Sequence, residues 1–215
     1  MTSESPAGHM TGERTLIVAC GALSRELLQV IEVNNLPGVE IACLPASYHN
    51  TPDKIPDAVA QRVRAAAGLY DTIYVGYADC GTGGRLDAVC EELGVERLPG
   101  AHCYEFFAGQ QTFARLHDAE PGTFYLTDFL VKHFDRLVIK ALWLDTHPEL
   151  LSDYFGNYTR LVYLAQTDNP DLVAQAETAA QRLGLRFELC PTGYGELATS
   201  VVELSSPNRQ PIGAY

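Results

Sequence analysis

The chain has 215 residues, 47% hydrophobic and 20% charged, and its 15 lysines and arginines stand against 27 aspartates and glutamates. That length gives one well-buried α/β domain and is short for two. An acidic chain without a Lys/Arg-rich run repels phosphate backbones and anionic lipid, which sets nucleic-acid and membrane-surface roles aside and leaves a small molecule as the expected partner.

No stretch has the apolar length of a membrane span, and the opening MTSESPAGHMTGER has no apolar signal-peptide core, so a cytoplasmic location is expected. In that compartment the six cysteines read as buried, metal-bound or catalytic rather than disulfide-paired. Residues 1–13 read as a flexible lead-in, 14–204 as the α/β domain and 205–215 as a tail.

Leu16 to Cys20 is an apolar run of buried-strand type, and Gly21 turns it into a helix striped by Leu23, Leu27, Leu28 and Ile31. Val39 to Leu44 is a second strand, ended by Pro45. A polar loop holding His49 follows, then a helix from Pro56 to Gly68. In the third unit, Thr72 to Leu93, the strand carries Ile73, Val75 and Tyr77. A glycine-rich turn holds Cys80, and Leu86, Val89, Cys90 and Leu93 share one helix face.

A short strand is expected at Glu96 to Leu98 and a helix near Cys103. Thr123 is expected to cap a helix in which Leu126, Phe129, Leu130, Phe134 and Leu137 recur at helical spacing. His147-Pro148 opens another helix that ends at Gly156. Arg160 to Ala165 is a strand, Asn169-Pro170 starts a helix closed by Gly184, Leu185 to Cys190 is the last strand, and a final helix runs from about Glu196. Alternating strands and helices with short connections predict a single α/β domain with a mostly parallel, doubly wound (Rossmann-like) sheet and helices on both faces. Ligands then bind at the edge where the strands end.

On that reading Cys20 ends the first strand, His49 follows the second, Cys80 ends the third and Cys103 follows the next. Four strand ends deliver thiolate or imidazole to one edge, the donor set that zinc prefers. No CxxC or HExxH spacing supports it, and cysteine also packs as a small hydrophobe. Cys43 and Cys90 are therefore assigned to the core, while Cys190 at a strand end shows that this position is not diagnostic. His102 is a ligand neighbour or a helix-start residue. His117, His133 and His147 read as structural, and His9 falls in the lead-in.

Gly81, Thr82, Gly83 and Gly84 form a turn at a helix start, where backbone N–H groups can hold an anion or stabilise a thiolate. The turn matches neither GxGxxG nor Walker A, and GxSxG is missing. Cys80 at a strand-to-helix turn is equally placed to be a nucleophile with His49 or His102 as base. Glu26 and Asp79 are the candidate proton carriers near this edge, with Glu26 also explained as an acidic residue at a helix N-terminus.

The segments LIVACGALSRE, LPASYHN, YADCGTGGRLDAV, PGAHCYEFFAG, YLTDFL and YLAQTD together resemble the family called domain of unknown function 1638. The resemblance points to His49, Cys80 and Cys103, with Cys20 as a fourth. It implies an association with corrinoid-dependent methyl-transfer systems, hence a corrinoid protein or methyltransferase as partner. The expected function is a zinc-dependent transferase or hydrolase acting on a small molecule. A Cys80-nucleophile enzyme and a non-catalytic metal or corrinoid carrier are the alternatives, and each is compatible with a homo-oligomer.

Overall fold

The computed structural model describes residues 13–204; the expected lead-in, apart from Glu13, and the expected tail lie outside the described residues. The first lobe is built from β1 (Thr15–Cys20), α1 (Ser24–Val33), β2 (Val39–Leu44), α2 (Ile55–Ala66), β3 (Thr72–Gly76), α3 (Arg85–Leu93) and β4 (Glu96–Arg97). Its strands pair in parallel in the order β2-β1-β3-β4. β1 is apolar from Leu16 onward, as suits a strand covered on both faces. Ile17 and Ala19 join one core with Leu23, Leu27 and Val30, whereas Leu16 and Val18 join another with Ile55, Val59 and Val63 of α2 and Leu86 and Cys90 of α3.

The chain leaves β1 for one edge of the sheet and returns to the other side of β1 as β3. The ends of these two strands therefore flank the switch point, where a doubly wound sheet opens a crevice. Gly76 closes the strands on each other there, since a Cβ at that position would lie 2.9 Å from Cβ of Ala19.

Two helices, α4 (Tyr104–Ala108) and α5 (Gln110–Ala119), lead to the second lobe. It contains β5 (Thr123–Thr127), α6 (Asp128–Lys132), α7 (Leu151–Phe155), β6 (Arg160–Ala165), α8 (Pro170–Leu183) and β7 (Arg186–Pro191), and its parallel sheet has the order β5-β6-β7. Arg160, nearly buried, ties that sheet at its amino end through Thr123, Glu188 and the Leu116 carbonyl. The last helix, α9 (Gly195–Leu204), goes back to the first lobe, where Leu197 and Val201 pack with Leu27 and Phe107. The chain thus makes an α/β fold with parallel strands, as expected, divided into a four-stranded and a three-stranded sheet.

The expected helix capped by Thr123 is overturned, because Thr123–Thr127 is β5. Thr, Phe and Tyr favour a pleated surface, and Thr123, Tyr125, Leu126 and Thr127 are buried against neighbours on both sides. The helical spacing further on belongs to α6 and to a wide helical turn at Asp135–Ile139. Thr127 is the real cap, its Oγ1 accepting from the Leu130 N–H at 3.4 Å. Cys43 is also corrected. It is exposed rather than core, because β2 is an edge strand and Cys43 lies past the part of its face, Val39 and Ile41, that the core covers. Cys90 is buried as expected.

Candidate functional site

A cavity of about 140 Å³ lies between the lobes. The first lobe contributes Cys20 at the end of β1, Tyr77 and Cys80 after β3, His49, Cys103 and Tyr104. The second contributes an apolar wall of Phe124, Phe129, Leu130, Val138 and Leu142, with Thr127 at the end of β5. The four residues expected to gather at the strand ends, Cys20, His49, Cys80 and Cys103, all line this one cavity. His49 sits in a short helical turn, Ala46–Asn50, that is held to the second lobe by Asn50 Nδ2 donating to the Leu137 carbonyl at 3.4 Å.

Cys80 has a left-handed backbone, φ +49°, a conformation that a residue with a Cβ adopts only where its surroundings impose it. Two clamps impose it. The Asp79 and Cys80 N–H groups donate to the Gly100 and Ala101 carbonyls at 3.1 and 2.9 Å, pinning the turn to the loop that leads into Cys103. On the other side, Asp79 accepts from Thr82 Oγ1 at 2.6 Å and from the Gly83 and Gly84 N–H groups at 3.1 and 2.8 Å. Gly83 and Gly84 take positive φ so that both N–H groups can turn back toward this carboxylate.

The two clamps bring the Cys80 and Cys103 thiols within hydrogen-bonding reach. Cys103 donates to the Cys80 sulfur, so the Cys80 pKa falls below that of an ordinary thiol despite desolvation, while Cys103 holds its own proton more tightly. Burial pushes Cys20 up to about 11, in spite of the Ala22 N–H it accepts from at 3.5 Å. Burial also raises Tyr77 and Tyr104 far above the phenol range, with the neighbouring sulfurs adding to it, so both keep their hydrogens. His49 stands at the cavity mouth as an exposed residue, yet burial of its ring and the charge of His102 lower its pKa and keep it neutral. Of the three thiols on this wall, Cys80 is the one whose ionisation its surroundings favour.

Gathering on one cavity is not the same as meeting at one point. Among the described residues, no group of three or more His, Cys, Asp or Glu side chains is arranged to hold a metal ion. The glycine turn has little left to offer an anion, because the Gly83 and Gly84 N–H groups are already bonded to Asp79. Asp79 itself is held below its usual pKa by Thr82, Gly84 and Gly83 against desolvation, and it does not line the cavity. Glu26 does not line it either. It is buried on α1, its Oε2 has no hydrogen-bond partner, and desolvation first, then repulsion from Asp128, raises its pKa.

Sequence reasoning did not single out Asp128 at the second lobe's strand ends. Asp128 is 1% exposed, and its carboxylate accepts from Tyr163 Oη at 2.7 Å, the Gln166 N–H at 2.9 Å and Thr167 Oγ1 at 2.5 Å. Gln166 Oε1 in turn accepts from the Asp128 N–H at 2.7 Å. The signal was present in YLTDFL and YLAQTD, where polar residues follow two buried strands at matching positions, but its partner is 38 residues away. This network fixes the end of β5, and with it Thr127 and the start of the apolar wall.

The chain belongs to the family described as a protein of unknown function (DUF1638), whose model matches residues 43–201. The match takes in His49, Cys80, Cys103, Asp128 and Gln166, and it leaves out Cys20 and Glu26. No curated protein matches the chain. None of the described helices is long and apolar enough to cross a membrane.

Proposed function

We propose that the chain is an enzyme whose reactive group is the Cys80 thiolate and whose substrate is a small, largely apolar molecule taken into the cavity between the lobes. The observation that carries this reading is the pairing of Cys80 with Cys103 on the wall of that cavity, which favours a thiolate exactly where a bound molecule would touch it. The imposed φ of Cys80 supports it, since strain of this kind is kept where a side chain must be aimed. His49, neutral and at the mouth, is suited to take or return a proton. Neither Glu26 nor Asp79 reaches the cavity, so the proton-carrying role passes from them to His49. The test is the site of alkylation by iodoacetamide at neutral pH. A single early adduct on Cys80, lost in Cys80→Ser, supports the reading, and no adduct there while other cysteines react refutes it.

The four soft donors on one cavity favour a second reading, zinc bound by His49, Cys80 and Cys103 with or without Cys20. Zinc at such a site lowers the pKa of a bound water or thiol. In the present arrangement Cys20 and His49 would have to close on the Cys80–Cys103 pair to complete it. Methyl transfer is compatible with a thiolate centre of either kind. A corrinoid ring is far larger than the cavity and would have to be presented at its mouth by a partner protein. Elemental analysis of protein purified without a chelating tag separates the readings. Stoichiometric zinc that is lost in Cys80→Ser supports the second, and metal well below stoichiometry refutes it.

A further inference from the structure

The cavity wall contains a polar group that the thiol chemistry does not use. Tyr77 is 2% exposed and lines the cavity, and its Oη makes no hydrogen bond of normal geometry among the described residues. The phenol's neighbours are the sulfur of Cys20, which takes a long, weak hydrogen bond from it, and that of Cys80, and both cysteines line the same cavity. A buried hydroxyl whose acceptor among the described residues is a thiol sulfur is poorly satisfied, because sulfur accepts weakly, and a ligand oxygen in the cavity would be the better acceptor. The surrounding wall excludes other ligand classes. Among the described residues no Lys or Arg lines the cavity, so a carboxylate or phosphate placed there would be desolvated without a counter-charge. The size allows about one small ring, since a dry engineered cavity of about 150 Å³ takes up benzene.

We propose that Tyr77 is the oxygen-binding group of this site and that the ligand is a small, uncharged, largely apolar carbonyl compound, its oxygen on the Tyr77 hydroxyl and its carbonyl carbon against Cys80. The position of the carbon rests on the reading of Cys80 as the reactive thiolate, whereas the oxygen site stands on the poorly satisfied phenol and the apolar wall. Addition of the thiolate to that carbon forms one C–S bond and moves the C=O π pair onto oxygen. The resulting alkoxide takes the Tyr77 hydrogen bond, with no redox partner required.

The experiment compares cyclohexanone with methylenecyclohexane, the same shape without the oxygen, by calorimetric titration of the whole chain. The ketone is expected to bind about fivefold more tightly to the wild type, the worth of one net hydrogen bond. In Tyr77→Phe the preference is expected to vanish while the alkene still binds. An infrared measurement needs no variant: the carbonyl band of bound cyclohexanone shifts to lower wavenumber when a phenol donates to it. Equal binding of the two by the wild type, a preference that survives Tyr77→Phe, an unshifted carbonyl band, or no binding of either at millimolar concentration overturns the proposal. Cys80→Ser separates this failure from that of the thiolate reading. Preference retained there, with Cys80 slow to alkylate in the wild type, sinks only the thiolate, and lost preference with fast alkylation sinks only Tyr77.

Discussion

The Cys103 thiol donates a hydrogen bond to the Cys80 sulfur across two loops that are joined by the Cys80 N–H and the Ala101 carbonyl. Cys103 is the largest influence lowering the Cys80 pKa, ahead of the desolvation that opposes it. Its removal therefore has a direction. In Cys103→Ala the pH at which Cys80 alkylation reaches half its maximal rate moves up, and the rate at neutral pH drops about tenfold, the effect of losing one charge-assisted hydrogen bond. Stopped-time labelling across pH with peptide mass spectrometry checks it, and an unchanged profile would show that Cys103 is a bystander.

Asp79 contributes to the same centre from the other side of the turn. Its pKa is lowered in the folded chain, so the stability it confers is present above its unfolded value and is lost as pH falls through the folded one. Asp79→Ala frees the Thr82 hydroxyl and two glycine N–H groups in a partly solvated turn and should cost about 1–3 kcal/mol. Urea unfolding at neutral pH measures this cost. A loss confined to acid pH would instead contradict the assignment, because protonated Asp79 has little left to lose there.

Glu26 has the opposite sign. Its folded pKa is raised, so the folded chain holds the proton to higher pH than the unfolded one does. That stabilisation is complete below about pH 4.3 and fades as pH rises through the folded value. Arg25 and Lys132 pull the pKa down and Asp128 pushes it up, with burial dominating. Glu26→Gln, neutral at every pH, should be more stable than wild type at about pH 8 and nearly equal at about pH 4, by thermal unfolding at both. A variant less stable at the higher pH would mean that the charged form is the one the fold accommodates.

Asp128 holds the second lobe's strand ends together. Asp128→Ala leaves the buried Tyr163 hydroxyl and Gln166 N–H, and the hydroxyl of the exposed Thr167, without their shared acceptor, a loss of about 3 kcal/mol or more. Asp128→Asn keeps an acceptor and should lose less. Equal denaturation midpoints for the two variants would contradict the network as the source of the effect.

The alternation of strand and helix was legible because each unit carries its own punctuation, as with Gly21 after β1, Pro45 after β2 and Gly184 after α8. The convergence of Cys20, His49, Cys80 and Cys103 followed from counting strand ends, since a parallel sheet sends every end to one side. The division into two sheets was not legible. In TFYLTDFL a strand passes directly into a helix, and Leu126 and Phe129 keep helical spacing across a boundary that periodicity alone does not mark. The role of Tyr77 was hidden for a related reason. In a strand it reads as an aromatic filler, and only the enclosure of its hydroxyl beside Cys20 shows a donor with no better acceptor than a sulfur. Asp79 reads as a candidate proton carrier because it is acidic and next to Cys80, and that its bonds run back into the turn was not legible from this adjacency.

The central claim, that Cys80 is the reactive thiolate of the cavity, is tested most directly by limited iodoacetamide labelling of the intact chain at neutral pH, with all six cysteines quantified in one digest. Access alone favours Cys43, which is exposed on the edge strand β2, whereas Cys80 is half-buried with its pKa lowered by Cys103. The account predicts that Cys80 is modified ahead of Cys43, and labelling of Cys43 first, with Cys80 trailing among the buried thiols, would contradict it.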